Sequence, residues 1–104
     1  MKPLAAALTV IAVLPDGKQV ELQATIRPPF QADDGQWIVR VQLKPLQKEP
    51  LDVRGVDSFH APWLACSLVL KLLSQLAAEG ARLESADGSE FPLEAYLAGL
   101  APKT

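Results

Sequence analysis

The chain carries one cysteine, Cys66, and one histidine, His60. A single cysteine cannot form an internal disulfide, so a disulfide framework is excluded and a reducing compartment suits the chain. One histidine beside one cysteine leaves too few soft ligands for a zinc site. No glycine-rich phosphate loop is present, and no run of alternating acids ends in the spaced glutamate of a calcium loop. Charge of one sign is also scarce. Ten basic and twelve acidic side chains give a formal net charge of −2. That excludes the basic footprint of a nucleic-acid binder and the polybasic patch of a membrane-surface protein. The apolar run Leu4–Leu14 is too short to span a membrane. It follows Met1-Lys2 and so has the outline of a secretory signal, but it ends Val13-Leu14-Pro15 with no small-x-small cleavage site. A first β-strand is the preferred reading, and the cytoplasm the expected location.

What is present is enough for one domain. The 104 residues, 49% of them hydrophobic, can bury a single core without disulfide or metal. Residues 1–104 are therefore expected to fold as one domain. Its charge is mildly uneven. Residues 1–56 hold seven basic and six acidic groups, and residues 57–104 three basic and six acidic. The acidic C-terminal half hints at a cationic partner.

The hydrophobic period identifies the elements. Residues 8–14 (LTVIAVL) are β-branched and apolar, and Pro15-Asp16-Gly17-Lys18 reads as a tight turn. Val20, Leu22, Ala24 and Ile26 then alternate with Gln19, Glu21, Gln23, Thr25 and Arg27, the period of a half-buried strand. Pro28-Pro29 ends that strand, and residues 30–35 are expected to be loop. Trp37, Val39, Val41 and Leu43 alternate with Gln36, Arg40, Gln42 and Lys44. Ile38 interrupts the polar side. Leu51 and Val53 mark a short fourth strand. The polar positions on these strands imply a sheet covered on one side only.

The period then becomes helical. Asp57 or Ser58 is a suitable N-cap, and Gly80 stands where a left-handed C-terminal residue belongs. A helix over 59–79 would be about 30 Å long. Ser67, Lys71, Ser74, Gln75 and Ala78 form its polar stripe; leucines, Val69 and Cys66 cover the rest. Arg82-Leu83-Glu84 reads as one more short strand, Ala86–Ser89 as a turn, Phe91 and Leu93 as core anchors, and residues 94–98 as a helical turn ended by Gly99. The expected fold is α+β: an antiparallel sheet of four to five strands packed on one long helix, in the order ββββ-α-β, with a short C-terminal helical turn.

Candidate chemistry is thin. Asp57, Ser58 and His60 are the residue types of a hydrolytic triad. Residues two apart on a helix do not face each other, and GVDSFH is not a nucleophile elbow. A helix cap with a first-turn histidine is the simpler reading. Cys66 lies inside the apolar pattern and reads as a small buried hydrophobe. Trp37 and Trp63 read as core anchors. The carboxylates Asp33-Asp34 and Glu84, Asp87 and Glu90 fall in turn regions with no sign of the sheltered cleft that acid–base catalysis needs. The loop PPFQADDG, with rigid prolines, an aromatic and two acids, is the segment best suited to binding on a stable scaffold.

From Trp37 to Leu83 the chain resembles an uncharacterised family of small bacterial domains, in which antiparallel strands lead into a "G-x-D-S/A-x-x-A-L" helix. The matching residues are Gly55, Asp57, Ser58, Ala61, Leu64, Ala65, Leu68, Leu72, Leu76, Gly80 and Leu83, and Pro62 departs from the pattern. That family carries no activity to transfer. In size, acidity and lack of motifs the chain is similar in style to immunity proteins that neutralise secreted bacterial toxins. The expectation is a non-enzymatic protein-binding module with no cofactor, metal, nucleic acid or membrane partner. Its partner would be a protein, a toxin domain among the candidates, met through Phe30, Asp33 and Asp34 with Glu84 and Asp87 behind them. The alternatives are a self-associating domain that forms a homodimer through an exposed strand at 8–14, and a small enzyme or ligand carrier with its site between sheet and helix.

Overall fold

The structure, a computed structural model, describes residues 3–98. Within them the chain is α+β, with strands β1 (Ala6–Val13), β2 (Gln19–Ile26), β3 (Phe30–Gln31), β4 (Trp37–Lys44) and β5 (Leu51–Gly55), helix α1 (His60–Ala78), strand β6 (Arg82–Glu84) and the short helix α2 (Leu93–Ala98). All strand pairings are antiparallel. The apolar N-terminal run is β1, which pairs with β2 along its whole length and puts Val10 and Ala12 in the core. Leu14 donates its N–H to the Lys18 carbonyl, and the Asp16 carboxylate accepts from the Lys18 N–H, which closes the turn between them.

The strand count exceeds the sequence expectation by β3, which lies where a loop was expected. Trp37 pairs with both Gln31 and Gly55, and Val41 pairs with both Ile26 and Leu51. Strands β2 and β3 therefore lie on the same side of β4, and β5 on the other. The two prolines interrupt what would otherwise be one long strand, because neither can donate to the ladder. Across the sheet the order is β5, β4, β2 with β3, β1, β6.

One face of this sheet is buried. Val10, Ala12, Leu22, Ala24, Ile26, Val39, Val41, Leu43 and Leu83 meet Ala61, Ala65, Val69 and Leu73 of α1, which recur every fourth residue along one side of the helix. The helix starts in contact with the end of β5. A Cβ on Gly55 would stand 2.5 Å from the Ala61 nitrogen and 2.8 Å from its Cα. It ends beside the β1–β2 turn, where a Cβ on Gly80 would stand 3.2 Å from Pro15 Cγ. Gly55 and Pro15 lie at opposite ends and on opposite sides of the sheet, so α1 crosses it from corner to corner.

Both helix ends follow the sequence signals. Asp57 Oδ1 accepts from the N–H groups of Phe59 (3.0 Å) and His60 (2.7 Å). At the other end Gly80 has φ +101°. Its N–H bonds the Ala77 carbonyl, and the Ala81 N–H reaches back to Leu76, the paired bonds of a Schellman motif.

Candidate functional site

The diagonal course of α1 leaves uncovered the corner of the sheet above the start of β1. Strand β6 meets β1 at Ile11, Ala12 and Val13 and stops there. Residues Ala6–Val10 thus have a strand neighbour on one side only, among the described residues. Beside this free edge an apolar cleft of about 180 Å³ opens between sheet and helix, lined by Ala6, Leu8 and Ile26 on the sheet and by Cys66, Leu70 and Tyr96 on the helices. Tyr96 reaches it from α2, its ring stacked on Phe91 with centroids 5.0 Å apart. The helix flank that faces this corner continues upward with apolar, solvent-facing residues. At 100° per residue, Phe59, Trp63, Cys66 and Leu70 share one stripe. Phe59 is 80% exposed and Trp63 45%.

Two expectations are corrected here. Cys66 is exposed on the cleft wall rather than buried. Its thiol titrates above the ordinary value because the apolar lining desolvates the thiolate. Trp63 is exposed, while Trp37 does pack against the core. Both misplacements share a cause. The helix is apolar on the flank as well as on the sheet-facing side, so its period does not reveal which side is covered.

The residues expected to meet a partner fall into two groups. Phe30 stands half-exposed on β3, opposite the buried Ile38. Asp33 and Asp34 occupy the following turn. Asp34 accepts from the Gln36 N–H at 3.0 Å and lies 3.7 Å from the Arg54 guanidinium. Asp33 has no hydrogen bond or ion pair among the described residues. Glu84 and Asp87 lie at the far edge of the sheet. The rungs of Glu84 and Phe30 are eight residue steps apart along the strands and two strands apart across them. That is roughly 25–30 Å, too far for one compact contact. Glu84 is held by Arg82 at 2.9 Å. Asp87 accepts from the Ser89 N–H at 2.9 Å and its hydroxyl at 2.6 Å, and these bonds hold its carboxyl below the ordinary range. Of the five residues, Phe30 and Asp33 are thus the two whose side chains are left to solvent without a partner among the described residues, although the Phe30 backbone pairs with Ile38.

The candidate catalytic groups do not assemble. Asp57 caps α1, and His60 Nδ1 accepts the Val56 N–H at 3.1 Å, so that nitrogen is taken up by the helix start. Ser58 has no hydrogen bond to His60. Among the described residues no three of His, Cys, Asp and Glu gather as metal ligands. No protein-family model matches the chain, and neither does any curated protein or solved structure.

Proposed function

We propose that this chain is a non-enzymatic, cytoplasmic protein-binding module that takes an extended segment of its partner along the free half of β1. The observation that carries the reading is the coincidence of a strand edge at Ala6–Val10 that has no partner among the described residues with an apolar cleft directly beside it. A strand edge supplies main-chain hydrogen bonds to any extended peptide, and a neighbouring pocket selects the side chain that enters. The cleft takes one medium-sized apolar side chain; it is smaller than the 300–1,000 Å³ usual for small-molecule sites, which favours a peptide anchor over a ligand carrier. The likeness in style to immunity proteins makes a toxin domain the first partner to test. Phe30 and Asp33 offer a second contact at the same end of the sheet.

The test is recovery of partners from the native host on tagged wild-type protein and on Ala6→Trp, which fills the cleft from an exposed position. A stoichiometric partner lost with Ala6→Trp supports the reading. The same partner recovered equally by both proteins, or a wild-type chain that elutes alone, overturns it. A wild-type dimer that Ala6→Trp makes monomeric assigns the edge to a second copy instead.

A further inference from the structure

The uncovered face of the sheet carries a second surface, unrelated to the cleft. Three rungs of β2 and β4 lie side by side there. Gln23 faces Lys44, Thr25 faces Gln42, and Arg27 follows beside Arg40, whose carbonyl accepts the Arg27 N–H at 3.0 Å. Gln23, Thr25, Arg27, Gln42 and Lys44, with Pro3 and Leu4 along one rim, line a shallow concavity of about 520 Å³. The cations in and around it are not equivalent. Arg40 is committed to Asp52 through two bonds of 2.9 and 3.2 Å. Arg54 lies beside Asp34. Arg27 and Lys44 have no ion-pair partner among the described residues. No carboxylate lines the concavity; Glu21 lies one outward position beyond Gln23, past the end of the strip. Gln42 turns its amide nitrogen to the Gln47 and Lys48 carbonyls, so Gln23 and Thr25 are the neutral groups left to a ligand.

The rungs of Lys44 and Arg27 are four residue steps apart, roughly 13 Å. One phosphate-sized ion at either end would leave the other cation uncompensated. An extended acidic chain would not, because its carboxylates at positions i and i+4 repeat at the same ~13 Å spacing and project from the same side. We propose that this strip binds an extended acidic polypeptide segment of a partner, with one carboxylate on Arg27, one on Lys44, and Gln23 and Thr25 contacting the stretch between them. Rim charges of this kind act chiefly on association rate and salt dependence.

The experiment is fluorescence anisotropy of a short labelled peptide of alternating Glu and Ser, titrated with the full chain at low and at raised salt. Wild type is expected to bind saturably and more weakly as salt rises, and the double variant Arg27→Gln/Lys44→Gln to bind about tenfold more weakly. A control of equal net charge, Lys18→Gln/Lys71→Gln, and the cleft variant Ala6→Trp are expected to bind like wild type. Thermal unfolding confirms that each variant is folded, and the single variants Arg27→Gln and Lys44→Gln replace the double one if it is not. Absence of binding by wild type overturns the proposal. So does equal weakening in the charge control, which means unspecific attraction. So does displacement by inorganic phosphate at the peptide's own concentration, which means a small-anion site.

Discussion

At Gly55 a missing side chain decides how closely helix and sheet approach. A Cβ there would meet backbone atoms of Ala61, which cannot swing away as a side-chain tip could. Gly55→Ala must therefore push α1 off β5, and a loss of about 1–3 kcal/mol in chemical denaturation is expected. An unchanged midpoint would mean that the helix start is adjustable. Arg40 and Asp52 make a different kind of residue-level contribution. Arg40's hydrogen bond holds the Asp52 carboxyl below its ordinary value of 3.8. The folded-state value is the depressed one, so the pair's contribution is complete above the ordinary value. It is lost as pH falls through the folded one, below about pH 4. Both groups are exposed and the contribution is small. The stability difference between wild type and Asp52→Asn is expected at neutral pH and should shrink as the pH falls through that window. A difference that does not change with pH would dissociate it from the ion pair.

At the scale of elements, the readable features were those governed by local chemistry. Alternation in 19–26 and 37–44 located β2 and β4, and Asp57 and Gly80 marked the two ends of α1, because strand period and helix caps are properties of a few neighbouring residues. Strand β3 was not readable. Two residues are too few to show a period, and only pairing with Ile38 and Trp37 makes them a strand. The five expected contact residues could be named from composition, but their separation onto two sides of the sheet depends on strand order. The Schellman end of α1 is the element most open to test. Gly80→Ala would place a Cβ at φ +101° and against Pro15. A left-handed backbone costs a non-glycine residue about 1–2 kcal/mol, and a loss of that size is expected by urea denaturation. A neutral effect would mean that the turn after Ala78 adopts another conformation at little cost.

For the whole molecule, one helix cannot cover a sheet that it crosses diagonally, and both the core and the candidate site follow from that. Where α1 lies on the strands, Leu73 is fully buried, and Leu73→Ala is expected to cost about 2–5 kcal/mol in a denaturant titration. Where it does not, the start of β1 has, among the described residues, no second strand beside it, and α1 and α2 stand back from it across the apolar cleft. This corner was illegible in the sequence, since nothing in 6–13 distinguishes the half of the strand that β6 covers from the half that it leaves open. The two halves must also differ in local stability, because opening a frayed edge disrupts fewer buried contacts than opening a covered strand. In native-state hydrogen exchange the amides of Ile11–Val13 are expected to be protected close to the limit set by global unfolding, and those of Ala6–Leu8 to exchange faster by local opening. Addition of a partner that pairs with the edge should slow Ala6–Leu8 and leave Ile11–Val13 unchanged. Uniform protection along β1 in the free protein would show that this edge is already covered, and would remove it as a place where another chain can add.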